Sequence, residues 1–581
     1  MPRLLRDYVI VSTAAVVVFF VNLGGPRLWD RDEPRNAGCA REMLIAGDWV
    51  TPVFNAELRT HKPVLLYWFM MTAYSVGGAN EFTARFWSAA LAVGTVLITY
   101  HLGRRLFHAR VGVWAGVALA SALMFDVAAR AATPDSVLIF FSALSLLVYV
   151  LATHQPPAED GAPNDAIPAP LSWPAAVLMY GLMGVAMLAK GPVGLVLPTA
   201  VVGMYLLIVT LPHKDAPWWL QLVRPFAPLH FLRTCWRMRP ITALAASFAV
   251  ALPWYVWVHV RTGGEWTEGF FFTHNLSRAT APMEGHDGSV LFYPLAVMVG
   301  FFPWSVFTVP LLIDLTARLR RGDPCRPGYV FAACWVGVYL GLFSLAQTKL
   351  PSYVTPMYPA LALLAGSFIY HWTRGAALVS HVWPRASFAV FGAVGLTALV
   401  AIPLAARQFA PGEEFLGVLG LVPLAAAVAC FLLMQRGNHL AAAQVFAVSA
   451  VALMAAAFGY GAARADRHQQ SHQLLEAIAA RSEHPHIGAF GCLEPSWVFY
   501  SGHPVRELEP EQLTDQERGF FSRGSDAFVI TTRERLEEVQ DALPDTVRVL
   551  AEVPYFMRNQ QLVLLGHANA LADERMQTPL R

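Results

Sequence analysis

Apolar stretches of about 17–20 residues recur along this chain, each long enough to cross a hydrocarbon core about 30 Å thick. Of its 581 residues 56% are hydrophobic and 14% charged, against about a quarter charged in a soluble domain. The chain therefore reads as a polytopic α-helical membrane protein. Spans are expected near 8–24, 81–100, 111–126, 134–153, 174–189, 192–211, 241–260, 290–313, 329–346, 354–371, 387–405, 415–434 and 440–461, about 13 transmembrane helices in all. The first follows Arg3 and Arg6 like a signal peptide, but no small-x-small site precedes Trp29, which predicts an uncleaved span. Segment 64–77, "VLLYWFMMTAYSVG", is apolar but short, as interfacial or re-entrant helices are.

Composition turns soluble after about residue 462. "SHQLLEAIAAR" and "RERLEEVQDAL" read as amphipathic helices; "HIGAFG", "SWVFYSG", "DAFVITT", "TVRVLAEV" and "QLVLLGH" read as strands. Two domains are expected: 1–461 in the membrane, and 462–581 as a small α/β domain. The latter has no Gly-rich phosphate loop, so no nucleotide cofactor is expected. Six cysteines without a CxxC pair give neither a disulfide framework nor a zinc signature, and Cys492 pairs only if it meets Cys39. A net charge of +2 gives no reason to expect nucleic acid.

Lys and Arg are enriched in cytoplasmic loops. With the N-terminus inside, "HLGRRLFHAR", 212–240, "RLRRGDPCR", "HWTRG" and "QRGNH" all fall inside, and the C-terminal domain falls outside. One loop violates the rule. The first outer loop, opening with "LWDRDEPRNAGCAREM", carries Arg27, Arg31, Arg35, Arg41, Arg59 and Lys62. Charge on the disfavoured side calls for a task.

The same parity gathers other charges outside: Asp30, Asp32, Arg35 and Lys62 in the first loop, and Asp135 in "AATPDS". Lys190 lies in "MLAKGP", His274, Arg278 and His286 in loop 261–289, and Lys349 and Tyr353 in "TKLPSY". Charges in a bilayer are costly and mark function. Cations and carboxylates from distant positions on one membrane face suit a phosphorylated, lipid-linked substrate. Plainer roles compete at each position. Asp32 and Asp135 read equally as helix starts, with the first helix ended by Gly47. Asp30 reads as an arginine partner, Lys190 and Lys349 as snorkelling side chains, the histidines as loop residues, and the aromatics at 270–272 and 554–556 as anchors or packing.

Taken in order, "DEPRNAGCAREMLIAGDWVTPVFN…THKPVLLYW", "RAATPDS", "AKGPVG" and "TKLPSYVTPMYPALALL" resemble the bacterial aminoarabinose transferases. These belong to the wider polyprenyl-phosphate-sugar glycosyltransferases that include the dolichyl-phosphate-mannose protein mannosyltransferases. The resemblance covers roughly residues 10–370. It implies a C-type glycosyltransferase fold with interfacial helices in the first outer loop. It also implies a sugar donor on undecaprenyl or similar polyprenyl phosphate, and transfer at the periplasmic side of the cell inner membrane to lipid A, another glycan or a protein. By position it carries over onto Asp32, Lys62, Asp135, Lys190, His274, Arg278 and Tyr353. With the charges gathered on the same face, the candidate roles are catalysis by Asp32 and Asp135, donor-phosphate binding by Lys62, Lys190, Arg278, Lys349 and Tyr353, and support from Asp30 and Arg35.

Departures from the family pattern fall at Asn36, Gly38 and His61. The last replaces an acid suspected of metal contact, so a divalent ion, zinc or magnesium, would have to rely on His61 with His274 or His286, a set suited to zinc. The expected chemistry is inverting displacement. Two other readings are a protein O-mannosyltransferase and a non-catalytic flippase for a lipid-linked sugar. Against the flippase, the charges collect at one face and no internal repeat is visible, whereas transporters bind near the midplane between repeats.

Overall fold

The structure is a computed structural model that describes residues 3–29, 32–155, 168–211, 223–276, 289, 291–515 and 518–568. Among the described residues nine helices are long and apolar enough to cross a membrane. Two bent pairs bring the number to eleven if each is one span: Ala109–Leu119 with Leu123–Arg130, bent by 68°, and Phe292–Gly300 with Trp304–Arg321, bent by 115°. The two remaining expected spans fall just short. Arg3–Phe20 carries Arg3, Arg6 and Asp7 within its 18 residues, and Val193–Val209 has 17 residues. The protein is a multi-pass membrane protein.

Contacts divide the chain into two compact units. One comprises Met1–Gly24, Thr60–Ile402 and Leu416–Tyr460; the other comprises Gly25–Arg59, Pro403–Phe415 and Gly461–Arg581.

In the first unit, the helices meet through small residues, as membrane helices do where no hydrophobic drive separates them from lipid. A Cβ on Gly103 would sit 2.6 Å from the Cα of Gly112, so only glycine lets Glu81–Leu106 and Ala109–Leu119 approach this closely. Pro303 falls at the sharper bend, where a missing N–H interrupts the helical ladder. The Trp304 indole donates to Ser121 Oγ at 3.0 Å, joining the two bends. Buried Arg130 donates to the carbonyls of Val18 (2.8 Å), Phe19 (3.0 Å) and Val21 (2.9 Å), satisfying the end of Arg3–Phe20 where water is scarce.

In the second unit, Asp32–Ala46 is a helix closed by Gly47 at φ +64°, a left-handed position that glycine adopts without strain. A hairpin of β1 (Val53–Phe54) and β2 (Glu57–Leu58) follows. Its turn residues Asn55 and Ala56 donate their N–H groups to the Glu42 carboxylate at 2.8 and 3.2 Å.

The other strands are β3 (His486–Phe490), β4 (Val505–Glu507), β5 (Ala527–Thr532), β6 (Val547–Pro554) and β7 (Gln561–His567). They form one sheet in the order β4-β3-β5-β7-β6. The β3 strand is parallel to β4 and β5, while β7 is antiparallel to β5 and β6. "SWVFYSG", expected as a strand, is instead the helix Pro495–Ser501, with proline in its first turn and Gly502 at φ +76° after its end. Cys39 and Cys492 form no disulfide with one another.

Candidate functional site

Asp135 opens the helix Asp135–Thr153, and Lys190 closes the helix Trp173–Lys190. A carboxylate in a first turn and an ammonium in a last turn each complement the helix dipole, by about 0.3–1 kcal/mol. The two meet. Lys190 Nζ donates to Asp135 Oδ1 at 2.6 Å, with side chains only 15% and 11% exposed. Lys190 Nζ also stands 5.6 Å over the Tyr353 ring, which the turn Pro351–Met357 carries. Three residues separated by up to 218 positions thus share one point of the transmembrane unit.

The segment Gly269–Leu276 joins this point to the first-loop lysine. Gly191, just after Lys190, has φ +80°, and a Cβ there would lie 2.6 Å from the Phe270 ring. A Cβ on Gly269 would lie 2.9 Å from Thr60, and the His274 ring packs against His61 at a tilt of 31°, with centroids 3.9 Å apart. Lys62 follows His61, half-buried, ahead of the helix Leu65–Gly77. The segment is itself held by aromatic packing: buried Phe270 stacks on Trp266 at 4.9 Å. Sequence reading placed Phe270 among anchors or packing residues. Gly191 was the signal that this ring is packed against the turn that follows Lys190.

Lys349, expected on the donor phosphate, is placed differently. It is 5% exposed, and its ammonium donates to the carbonyls of Ser344 (2.9 Å) and Ala346 (3.1 Å) at the end of the helix Arg326–Leu345. The Tyr293 ring lies 5.6 Å below it, and the Tyr293 hydroxyl accepts from Leu350 N at 3.3 Å. Lys349 therefore clamps the turn that presents Tyr353.

In the second unit, Asp32 is exposed at the first residue of Asp32–Ala46, and Arg35 is half-buried in the same turn. Glu33 turns back to accept from Trp29 N at 2.7 Å, fixing the approach to the helix. Asp30, Arg278 and His286 lie outside the described residues. Among the described residues no three His, Cys, Asp or Glu side chains are grouped to hold a metal. His61 and His274 supply two imidazoles, where zinc takes three or four protein ligands. The described residues do not make up such a site.

Nearly the full length of the chain is similar in fold to the crystal structure of ArnT from Cupriavidus metallidurans bound to undecaprenyl phosphate. The TM-score is 0.75 at 24% identity, covering 97% of this chain and 99% of that one. The apo structure of the same protein matches equally. The fold is thus the C-type glycosyltransferase fold, a helical membrane region with a small α/β domain.

A family model described as dolichyl-phosphate-mannose-protein mannosyltransferase matches residues 10–267. Similar sequences include the undecaprenyl phosphate-alpha-4-amino-4-deoxy-L-arabinose arabinosyl transferase of Pseudomonas aeruginosa strain UCBPP-PA14, 30% identical over 350 residues, or 60% of this chain and 57% of that protein. The enzyme of that name from Aeromonas salmonicida is 27% identical over 402 residues, or 68% and 65%. The chain spans under two thirds of the length of these two curated relatives. Over the parts of the chain they cover, these matches are to the same kinds of protein that its motifs resemble, the aminoarabinose transferases and the protein mannosyltransferases.

Proposed function

We propose that this protein is a glycosyltransferase that moves a sugar from a polyprenyl phosphate to lipid A or another envelope glycan, at the periplasmic face of the cell inner membrane. The observation that carries the reading is Lys190, fixed at a helix end between the Asp135 carboxylate and the Tyr353 ring. A cation so held stabilises charge as it develops without having to reorganise, which is how fixed electrostatic groups accelerate a reaction. The family and fold support the donor class. Clusters such as Arg104 and Arg105 at the end of Glu81–Leu106, and Arg318, Arg320 and Arg321 at the end of Thr308–Arg321, support the assignment of sides.

In this mechanism an acceptor oxygen attacks the anomeric carbon. The bond from that carbon to the phosphate oxygen breaks, and its electron pair leaves with the polyprenyl phosphate. Lys190 and Lys62 stabilise the leaving phosphate, with Arg278 in the same role. Asp135 orients Lys190. Attack from the face opposite the phosphate inverts the anomeric centre. Asp32 takes the acceptor's proton when the acceptor is a hydroxyl; a phosphate acceptor is already anionic and needs positioning only.

With a hydroxyl acceptor, Asp32→Asn is expected to lower transfer about 10²–10⁴-fold, the usual contribution of a general base. The family-model match also favours a second reading, transfer of mannose to protein. Mass spectrometry of lipid A, glycans and glycoproteins from cells with and without the protein separates the two. Loss of a sugar from lipid A or a glycan supports the first, loss from glycoproteins supports the second, and no difference in any of them overturns both.

A further inference from the structure

The helices Asp135–Thr153 and Trp173–Lys190 meet at Asp135 and Lys190. Their other ends also meet, where Ala169 N, just ahead of the second helix, donates to Thr153 O at 2.9 Å. The 18 residues of Trp173–Lys190 rise about 27 Å, so the two ends lie at opposite faces of a bilayer. At the end away from Lys190 the transmembrane unit holds a cavity of about 550 Å³ that none of the roles above uses. Sites for small molecules occupy roughly 300–1,000 Å³.

The lining of this cavity is graded. Its buried part is apolar, with Met179 on Trp173–Lys190 and Val202 and Leu206 on Val193–Val209. Its exposed part carries Trp173, Trp236 and Arg237, and half-buried Arg239 lines it as well. Among the described residues no Asp or Glu lines it. Arg239 Nε donates to Leu171 O at 3.2 Å, and the Tyr180 hydroxyl donates to Met238 O at 2.6 Å, so the turn that carries both arginines is tied to the cavity wall. Neither the Arg237 guanidinium nor the terminal nitrogens of Arg239 meet an acceptor among the described residues. An apolar interior with unneutralised cations at the open end complements an amphiphile with an anionic head.

The neighbouring helix says where such an amphiphile comes from. Pro228–Arg237 exposes Leu229, Leu232 and Trp236, spaced i, i+3 and i+7, with Arg233 and Arg237 flanking that stripe. A helix of this pattern lies in the plane of a membrane surface, and exposed Trp173 and Trp236 are of the type that sits at headgroup level. Residues 224–239 hold Arg224, Arg233, Arg237 and Arg239 and no Asp or Glu. Basic pockets between membrane helices on the cytoplasmic side recognise anionic lipid headgroups.

We propose that this cavity binds one anionic phospholipid of the leaflet opposite Lys190, the cytoplasmic leaflet in the assignment of sides above. An acyl chain packs against Met179, Val202 and Leu206, and the phosphate sits at Arg237 and Arg239. The site lies at the far end of the helices from Lys190 and stands whatever sugar or acceptor the protein uses.

The test titrates dioleoyl phosphatidylglycerol, dioleoyl phosphatidylcholine and inorganic phosphate against the full-length protein, with native mass spectrometry as the readout and thermal midpoints recorded on the same samples. The proteins compared are the wild type, Arg237→Gln, Arg237→Gln/Arg239→Gln, Leu206→Trp and Arg233→Gln. The expected result is preference for phosphatidylglycerol over phosphatidylcholine, with its binding weakened about fivefold for each cavity arginine removed. Leu206→Trp, which fills the apolar part, should weaken it as well. Arg233 is on the same helix but outside the lining, so Arg233→Gln should bind as the wild type does. Equal binding of the two lipids by the wild type, undiminished phosphatidylglycerol binding by the double variant or by folded Leu206→Trp, or an equal loss in Arg233→Gln would overturn the proposal. So would displacement of the lipid by inorganic phosphate, which would make this a site for a soluble anion. If the double variant or Leu206→Trp fails to fold, Arg237→Gln, at an exposed position, decides alone.

Discussion

Lys190 and Lys349 each hold an ammonium 5.6 Å over a tyrosine ring in the transmembrane unit, and the company each keeps separates their work. Lys349 is buried and donates to two backbone carbonyls at the end of a helix. Lys190 is somewhat more open, and its partner is the carboxylate of Asp135. An ammonium facing a carboxylate and a ring can turn toward a phosphate; one engaged by the main chain stays where it is. Two lysines with the same look in sequence, each followed by Gly-Pro or Leu-Pro, differ in what the fold puts beneath them.

The largest effect is expected from Lys190→Met. Transfer should fall about 10²–10³-fold, the scale for removing one preorganised electrostatic contact. Leaving Asp135 largely buried without its partner should also destabilise the protein by about 3–5 kcal/mol. Adding Asp135→Asn should restore the thermal midpoint and not the transfer, which separates chemistry from folding. Next comes Lys349→Met, which strands two carbonyls. Stability should fall by about 1–3 kcal/mol, read as a lower thermal midpoint, while transfer per folded molecule stays within a few-fold of the wild type.

Tyr353→Ala removes the ring beneath Lys190, a contact worth about 0.5–2 kcal/mol, so transfer should drop about two- to thirtyfold. Tyr353→Phe keeps the ring and should cost little. The smallest check concerns burial in the other unit, where desolvation, with Glu494 nearby, pushes the Cys492 thiol up to about 12. At pH 8 almost none of it is thiolate, so maleimide should not label Cys492 in the folded protein and should label it after unfolding.

Much of this was legible beforehand. Apolar runs located the helices because a bilayer imposes a minimum length, and the same parity put Asp135 and Lys190 at helix ends on one face, but only the fold shows that they pair. What the sequence could not show is which donor atoms the backbone would claim. Lys349 read as a phosphate ligand because nothing in "TKLPSY" reveals that its ammonium reaches back to Ser344 and Ala346. Pro495–Ser501 read as a strand because Trp, Val, Phe and Tyr favour sheets, although Pro495 and Gly502 mark a helix start and stop.

The most direct test of the central claim follows a radiolabelled polyprenyl-phosphate sugar in membrane vesicles containing the wild type, the Lys190→Met/Asp135→Asn double variant, or Lys349→Met. The account predicts covalent transfer of label by the wild type and by Lys349→Met, and none above background by the double variant although it is folded. Label that crosses the membrane still attached to its carrier, or transfer by the double variant at the wild-type rate, would contradict it.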